Sequence, residues 1–176
     1  MSIIFTILLV LAGIIALLLI IGLFMKKEHY VNREIIINAP RQKVFDYLKL
    51  LKNQDEFNKH AMTAPDRKRE FNGTDGTVGY IYAWSGDKNA GMGEKEIKRI
   101  VEGESIETEI RFVKPMSATA SIIMKTIPLS DNQTKVSWSN AGVLKHPFNI
   151  MITMMEKNVA KDMDSSLSTL KNILEK

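Results

Sequence analysis

The chain opens with an unbroken apolar run, Ile3–Met25 (IIFTILLVLAGIIALLLIIGLFM), and changes character at Lys26: every Lys, Arg, Asp and Glu lies at or beyond that position. A bilayer core about 30 Å thick takes about 20 apolar residues in a helix, so the run predicts a transmembrane helix. A cleaved signal peptide fits less well. No Lys or Arg precedes the run, the run exceeds the usual signal core of about 7–15 residues, and no A-x-A-like site follows it. Lys26, Lys27 and Arg33 follow the span while no basic side chain precedes it, so the positive-inside rule places the remainder of the chain in the cytoplasm. Gly13 and Gly22 lack GxxxG spacing and do not argue for helix dimerisation. The connector Met25–Tyr30 is short, which sets the following domain close to the bilayer. The division expected is a single-pass anchor over residues 1–27 and one domain over residues 28–176.

Beyond the anchor the periodicity changes. Val31–Asn38 (VNREIIIN) is a β-branched run suited to a strand. Ala39-Pro40 ends it, and Pro40 suits the first turn of a helix. Arg41–Leu51 fits that helix, with Val44, Tyr47, Leu48 and Leu51 at i, i+3, i+4, i+7. Asp55–Met62 predicts a second short helix. From Asp66 the pattern is strands and turns: Arg67–Phe71 as an edge, a turn at Asn72-Gly73, then Thr77–Trp84 (TVGYIYAW). Gly86–Gly93 (GDKNAGMG) is a loop. Glu94–Val101 and Ser105–Phe112 flank Glu102-Gly103 as a hairpin. In its second strand Ile106, Thr108, Ile110 and Phe112 share one face, and Glu107, Glu109 and Arg111 the other. Ser117–Ile127 is a strand ended by Pro128, and Thr134–Asn140 is the last, with Val136 and Trp138 on one face. Pro147 opens a long amphipathic helix, in which Met151, Met155, Val159, Met163, Leu167 and Leu170 recur at helical spacing.

Strands in succession without helical crossovers predict an antiparallel sheet. Its apolar face needs a cover, and the C-terminal helix is the long amphipathic one available. The fold class expected is α+β: a helix-grip arrangement, with a curved antiparallel sheet around the long C-terminal helix and one transmembrane helix before it. The segments REIIINAPRQKVFDYL, YIYAWSG, GMGEKEIKRI and ESIETEIRFVKP resemble the START-like (Bet v 1-like) superfamily, and within it the polyketide cyclase/dehydrase (SRPBCC) group. The likeness runs over about Val31–Lys176, and the transmembrane helix departs from most members. It implies a deep cavity between sheet and long helix, used by members for lipids, hormones, polyketides and other apolar molecules; some members are cyclases.

The wall of such a cavity falls to Tyr82, Trp84, Ile106, Thr108, Ile110, Phe112, Ala120, Ile122, Met124 and Trp138 on the strands, and to Met151, Met155, Val159 and Met163 on the helix. Each of these residues also suits a filled core. Methionine is flexible and polarizable, so a Met-rich wall adapts to ligands of several shapes. Met92, in the Gly-rich loop, is a candidate gate at the cavity mouth; the alternative is a plain turn.

Composition and charge narrow the chemistry. There is no cysteine, which excludes disulfides, thiolate nucleophiles and Cys-based zinc sites. The net charge of +4 assists contact with an anionic membrane surface and is too small to argue for nucleic acid. His29, His60 and His146 lack metal-ligand spacing, and the loop lacks Walker A spacing, so neither metal nor cofactor is called for. The candidates for acid–base work are His60, near the helical cap, and Glu94, which shares a strand face with Glu96 and Lys98; such charges more often sit on a solvated face. Three functions remain open: binding or transfer of an apolar small molecule drawn from the bilayer, a cyclase-type enzyme acting on a membrane-dissolved substrate, and a partner-binding domain with a filled core.

Overall fold

The computed structural model describes residues 2–87 and 90–176, so Lys88 and Asn89 of the predicted Gly-rich loop lie outside the described residues. Helix α1 (Ile3–Phe24) is 22 residues long, about 33 Å at the rise of an α-helix. It is long and apolar enough to cross a membrane, and its side chains are almost all exposed.

Strand β1 (Glu28–Ile37) follows after three residues. Helix α2 (Arg41–Lys49) buries Val44, Phe45 and Leu48, and two single-turn helices, α3 (Gln54–Phe57) and α4 (Lys59–Met62), come next. The remaining strands are β2 (Lys68–Asn72), β3 (Ile81–Ser85), β4 (Met92–Val101), β5 (Ser105–Lys114), β6 (Ala118–Ser130) and β7 (Gln133–Val143). Among the described residues they form one sheet in the order β1-β7-β6-β5-β4-β3-β2, every neighbouring pair antiparallel. The expected edge strand is β2, and β1 forms the other edge. A 3-10 turn (Phe148–Met151) leads into helix α5 (Ile152–Leu174).

Alternation decides which residues the sheet turns inward. On β5, Ile106, Thr108 and Ile110 are buried while Glu107 and Glu109 are not. Val136 and Trp138 of β7, Ile122 and Met124 of β6 and Ile97 of β4 face the same way. Helix α5 supplies Met163, Leu167, Leu170 and Leu174, one stripe of its surface, to close this core. The outer face carries charge: Arg111 pairs with Glu94, Glu96 and Glu109.

Several element boundaries differ from those the sequence predicts, three of them for a visible reason. Strand β3 begins at Ile81 rather than Thr77, because the Tyr80 amide closes a turn onto the Thr77 carbonyl at 3.1 Å. Strand β6 runs through Pro128 to Ser130, since its pairing with β5 has ended at Lys125 and that side needs no further ladder donors. The last helix starts at Ile152 rather than Pro147, after the 3-10 turn.

That turn also grips α1. Asn149 Nδ2 donates to the carbonyls of Gly22 at 2.6 Å and Met25 at 3.2 Å, and His146 Nε2 lies 2.9 Å from the Leu19 carbonyl. Carbonyls in the last turn of a helix have no partner within it, so Asn149 satisfies a group that α1 leaves open at Gly22, while His146 meets a carbonyl further inside the helix. Gly22 permits the approach: a Cβ there would lie 3.0 Å from Ile150 Cγ2 and 3.1 Å from the His146 ring. Lys26 and Glu156 add an ion pair at 2.8 Å.

Candidate ligand-binding site

Between the sheet, α5 and the short helices α3 and α4 lies a cavity of about 230 Å³. An engineered apolar cavity of about 150 Å³ accepts benzene, so this space suits a molecule of about nine or ten non-hydrogen atoms. Its wall includes Tyr82 and Trp84 from β3, Ile110 and Phe112 from β5, Ile122 from β6, Trp138 from β7, and Val159 and Met163 from α5. The aromatic rings lock one another: Trp84 meets Phe112 edge-on at 6.0 Å between centroids, and Phe57 meets Trp138 likewise at 6.3 Å. At Gly93 of β4 an added Cβ would lie 2.6 Å from the Arg111 carbonyl and 2.7 Å from the Trp84 ring, so a bare backbone is what lets that indole lie against the strand.

Other residues expected on the wall are elsewhere. Ile106, Thr108, Ala120 and Met124 are buried on the inner face but off the cavity wall. Met92, at the start of β4, is 41% exposed. Met151 and Met155 precede the part of α5 that runs beneath the sheet; the helix joins the wall one turn later, at Val159. Glu94 is on the outer face, with Arg111 Nε at 2.6 Å, so it does not reach the cavity. His60 does line the cavity, at the α4 rim, and its imidazole is held below its ordinary value by desolvation and then by the charge of Arg67. His29 is buried on β1 with Nε2 3.0 Å from Asn140 Oδ1.

The polar part of the wall was missed by the sequence reading. Lys95 of β4 is 8% exposed, and its ammonium donates to Gln54 Oε1 of α3. Desolvation, reinforced by Arg67, pulls its pKa down to about 8. Arg67, in the segment before β2, is also buried. Its Nη2 donates to Asp55 Oδ1 at 2.5 Å and to the Tyr82 hydroxyl at 2.7 Å. Tyr82 in turn donates to Asp55 at 2.7 Å, and its own pKa is raised by burial and by that bond. Arg69 Nε reaches the other Asp55 oxygen at 2.8 Å. The guanidinium of Arg67 also lies over the rings of Tyr82 and Trp84, at 5.5 and 5.9 Å from their centroids.

One signal for Lys95 was present in the sequence. If Glu94 and Glu96 share the outer face of a strand, Gly93, Lys95 and Ile97 must face in. Gln54, Asp55 and Arg67 gave no such signal, because only the closed fold brings them to β4.

The chain matches no known family model and no curated protein. Its architecture, in contrast, recurs among solved structures. Norcoclaurine synthase from Thalictrum flavum, in complex with dopamine and hydroxybenzaldehyde, superposes with a TM-score of 0.62 at 13% identity, over 89% of this chain and 92% of the other. The protein Ara h 8.0201 gives 0.59 at 15% identity, over 84% and 97% of the two chains. It has the Bet v 1-like helix-grip fold. A dimeric Aha1 from Colwellia psychrerythraea shares it, with a TM-score of 0.57 at 15% identity over 83% of this chain and 96% of that one. At such identities the likeness fixes the architecture and carries no residue roles. In this chain the cavity sits between the sheet and α5, and α1 is added ahead of β1.

Proposed function

We propose that this chain is a membrane-held binding or transfer protein for an apolar small molecule, carried in the cavity between the sheet and α5. The observation that carries this reading is the cavity itself: about 230 Å³ of space walled largely by aromatic and aliphatic side chains. Apolar α1 supports the location, because a hydrophobic ligand concentrates in the bilayer beside such a domain. The basic residues Lys26, Lys27 and Arg33 favour a cytoplasmic domain on a single span. Among proteins of this fold, norcoclaurine synthase is seen with two small aromatic molecules bound.

Native mass spectrometry of the full chain, released from mild detergent, tests the binding reading. The expected result is an adduct of an apolar small molecule, absent when Ile122→Trp fills the cavity. No adduct, together with no uptake of added 1-octanol, would overturn it. Orientation is separable: the chain has no cysteine, so Asn132→Cys in the β6–β7 turn should react with an impermeant maleimide only after the cells are opened.

A second reading, a cyclase-type enzyme, is favoured by one observation, the buried amine Lys95 with its pKa drawn down to about 8. Turnover of a carbonyl-bearing apolar substrate, lost in Lys95→Met with binding retained, would select it over simple carriage.

A further inference from the structure

The polar end of the cavity is unbalanced. Arg67 and Lys95 line that end beside one carboxylate, Asp55, which is already engaged by Arg67, by Tyr82 and by the exposed Arg69. Asp162, the other acidic residue on the wall, is on the exposed rim. The recorded partner of Lys95 is the neutral amide of Gln54. Among the described residues, buried Arg67 Nε has no hydrogen-bond partner, and neither does Trp138 Nε1 on the same cavity wall. A buried cation whose direct hydrogen-bond partner is neutral is costly unless something anionic joins it, and buried donors are normally satisfied. The wall therefore offers spare positive charge at Arg67 and Lys95, unsatisfied donors on Arg67 and Trp138, and a stretch of hydrocarbon beside them.

We infer that the ligand is an amphiphile with a monoanionic carboxylate head, held at the Lys95–Arg67 end of the cavity, and a short hydrocarbon body lying among Trp84, Ile110, Ile122 and Met163. The inference rests on the binding reading above and adds the head group to it. One negative charge is what the site lacks, and a carboxylate accepts from an ammonium and a guanidinium together. The cavity size suits a body of about seven carbons beside that head. Lys95 is mostly protonated at neutral pH and loses its charge near pH 8. The ionisable groups that share the wall with it are Asp55, His60, Arg67, Tyr82 and Asp162; burial holds the His60 imidazole below its ordinary value and the Tyr82 hydroxyl above its own, away from this range.

The test pairs octanoate with 1-octanol, ligands of one length that differ in the charge of the head. The full chain in phosphatidylcholine nanodiscs, with empty nanodiscs as the blank, reports binding through its two tryptophans, Trp84 and Trp138, both on the cavity wall. Octanoate should bind about tenfold or more tighter than 1-octanol at pH 7. That advantage should disappear in Lys95→Met, and in the unaltered protein it should shrink between pH 7 and pH 9.5 while 1-octanol binding stays constant. Equal binding of the two ligands, or an octanoate advantage unmoved by pH and by Lys95→Met, would overturn the head-group assignment and leave the apolar cavity standing. Binding of neither ligand would overturn the cavity reading and this inference with it. The pH series needs no variant, so a misfolded Lys95→Met does not remove the test.

Discussion

The two faces of β4 carry charges in adjacent positions and put them in opposite physical situations. Outside, Glu94 and Glu96 clamp Arg111 together with Glu109 from β5, in a network open to water. Inside, Lys95 is desolvated against the cavity with Arg67, Asp55 and Tyr82 nearby. Three carboxylates gather around the outer cation, yet screened pairs of that kind contribute little. The inner cluster has fewer partners and larger energies, because removal from water magnifies each mismatch. Where charge is buried, rather than how much charge is present, distinguishes the cavity from the rest of this sheet.

The largest expected effect comes from breaking the inner cluster. Asp55→Ala leaves Arg67 buried with no carboxylate, and denaturant unfolding should show a loss of about 3–5 kcal/mol. Lys95→Met should act in the opposite direction. The folded-state pKa of Lys95 lies below its ordinary 10.5, at about 8, so burial opposes the charged form. Below pH 8 the full penalty is present. Between pH 8 and 10.5 the unfolded chain binds the extra proton, and stability rises with pH. Lys95→Met should therefore stabilise the protein at pH 7 by up to about 3 kcal/mol and flatten that rise, measured by unfolding at a series of pH values. A protein made more stable and less able to hold an anionic ligand by the same change would display the usual cost of keeping a functional group where folding disfavours it.

Gly93→Ala sharpens the comparison on the strand itself. Its new methyl meets the Arg111 carbonyl and the Trp84 ring, and a loss of about 1–3 kcal/mol should appear with a shifted tryptophan emission. Smallest is the outer face: Arg111→Ala should change stability by about 1 kcal/mol or less, and raised salt should reduce the difference further. An Arg111 effect as large as that of Asp55 would break the contrast.

Much of the architecture was legible in the hydrophobic pattern. The alternation in β5, the edge position of β2 and the stripe on α5 follow from periods of two and 3.6, which depend on local geometry alone. The cavity wall was legible only in part. Sheet residues such as Trp84, Ile110 and Ile122 share their inward face with Ile106 and Met124, and no periodicity says where the sheet bends away from α5 to leave space. Gln54, Asp55, Arg67 and Lys95 are further from a sequence reading still, since a search for an apolar container passes over polar residues and their meeting depends on three separate segments.

The clasp of Asn149 on the end of α1 bears on how this protein can be handled at the bench. A shortened version starting near Glu28 would strip that amide of the Gly22, Met25 and Lys26 carbonyls and uncover Ile150. Such a fragment would differ from the intact chain at the root of α5, so solution measurements made on it would describe an altered molecule rather than the same domain set free.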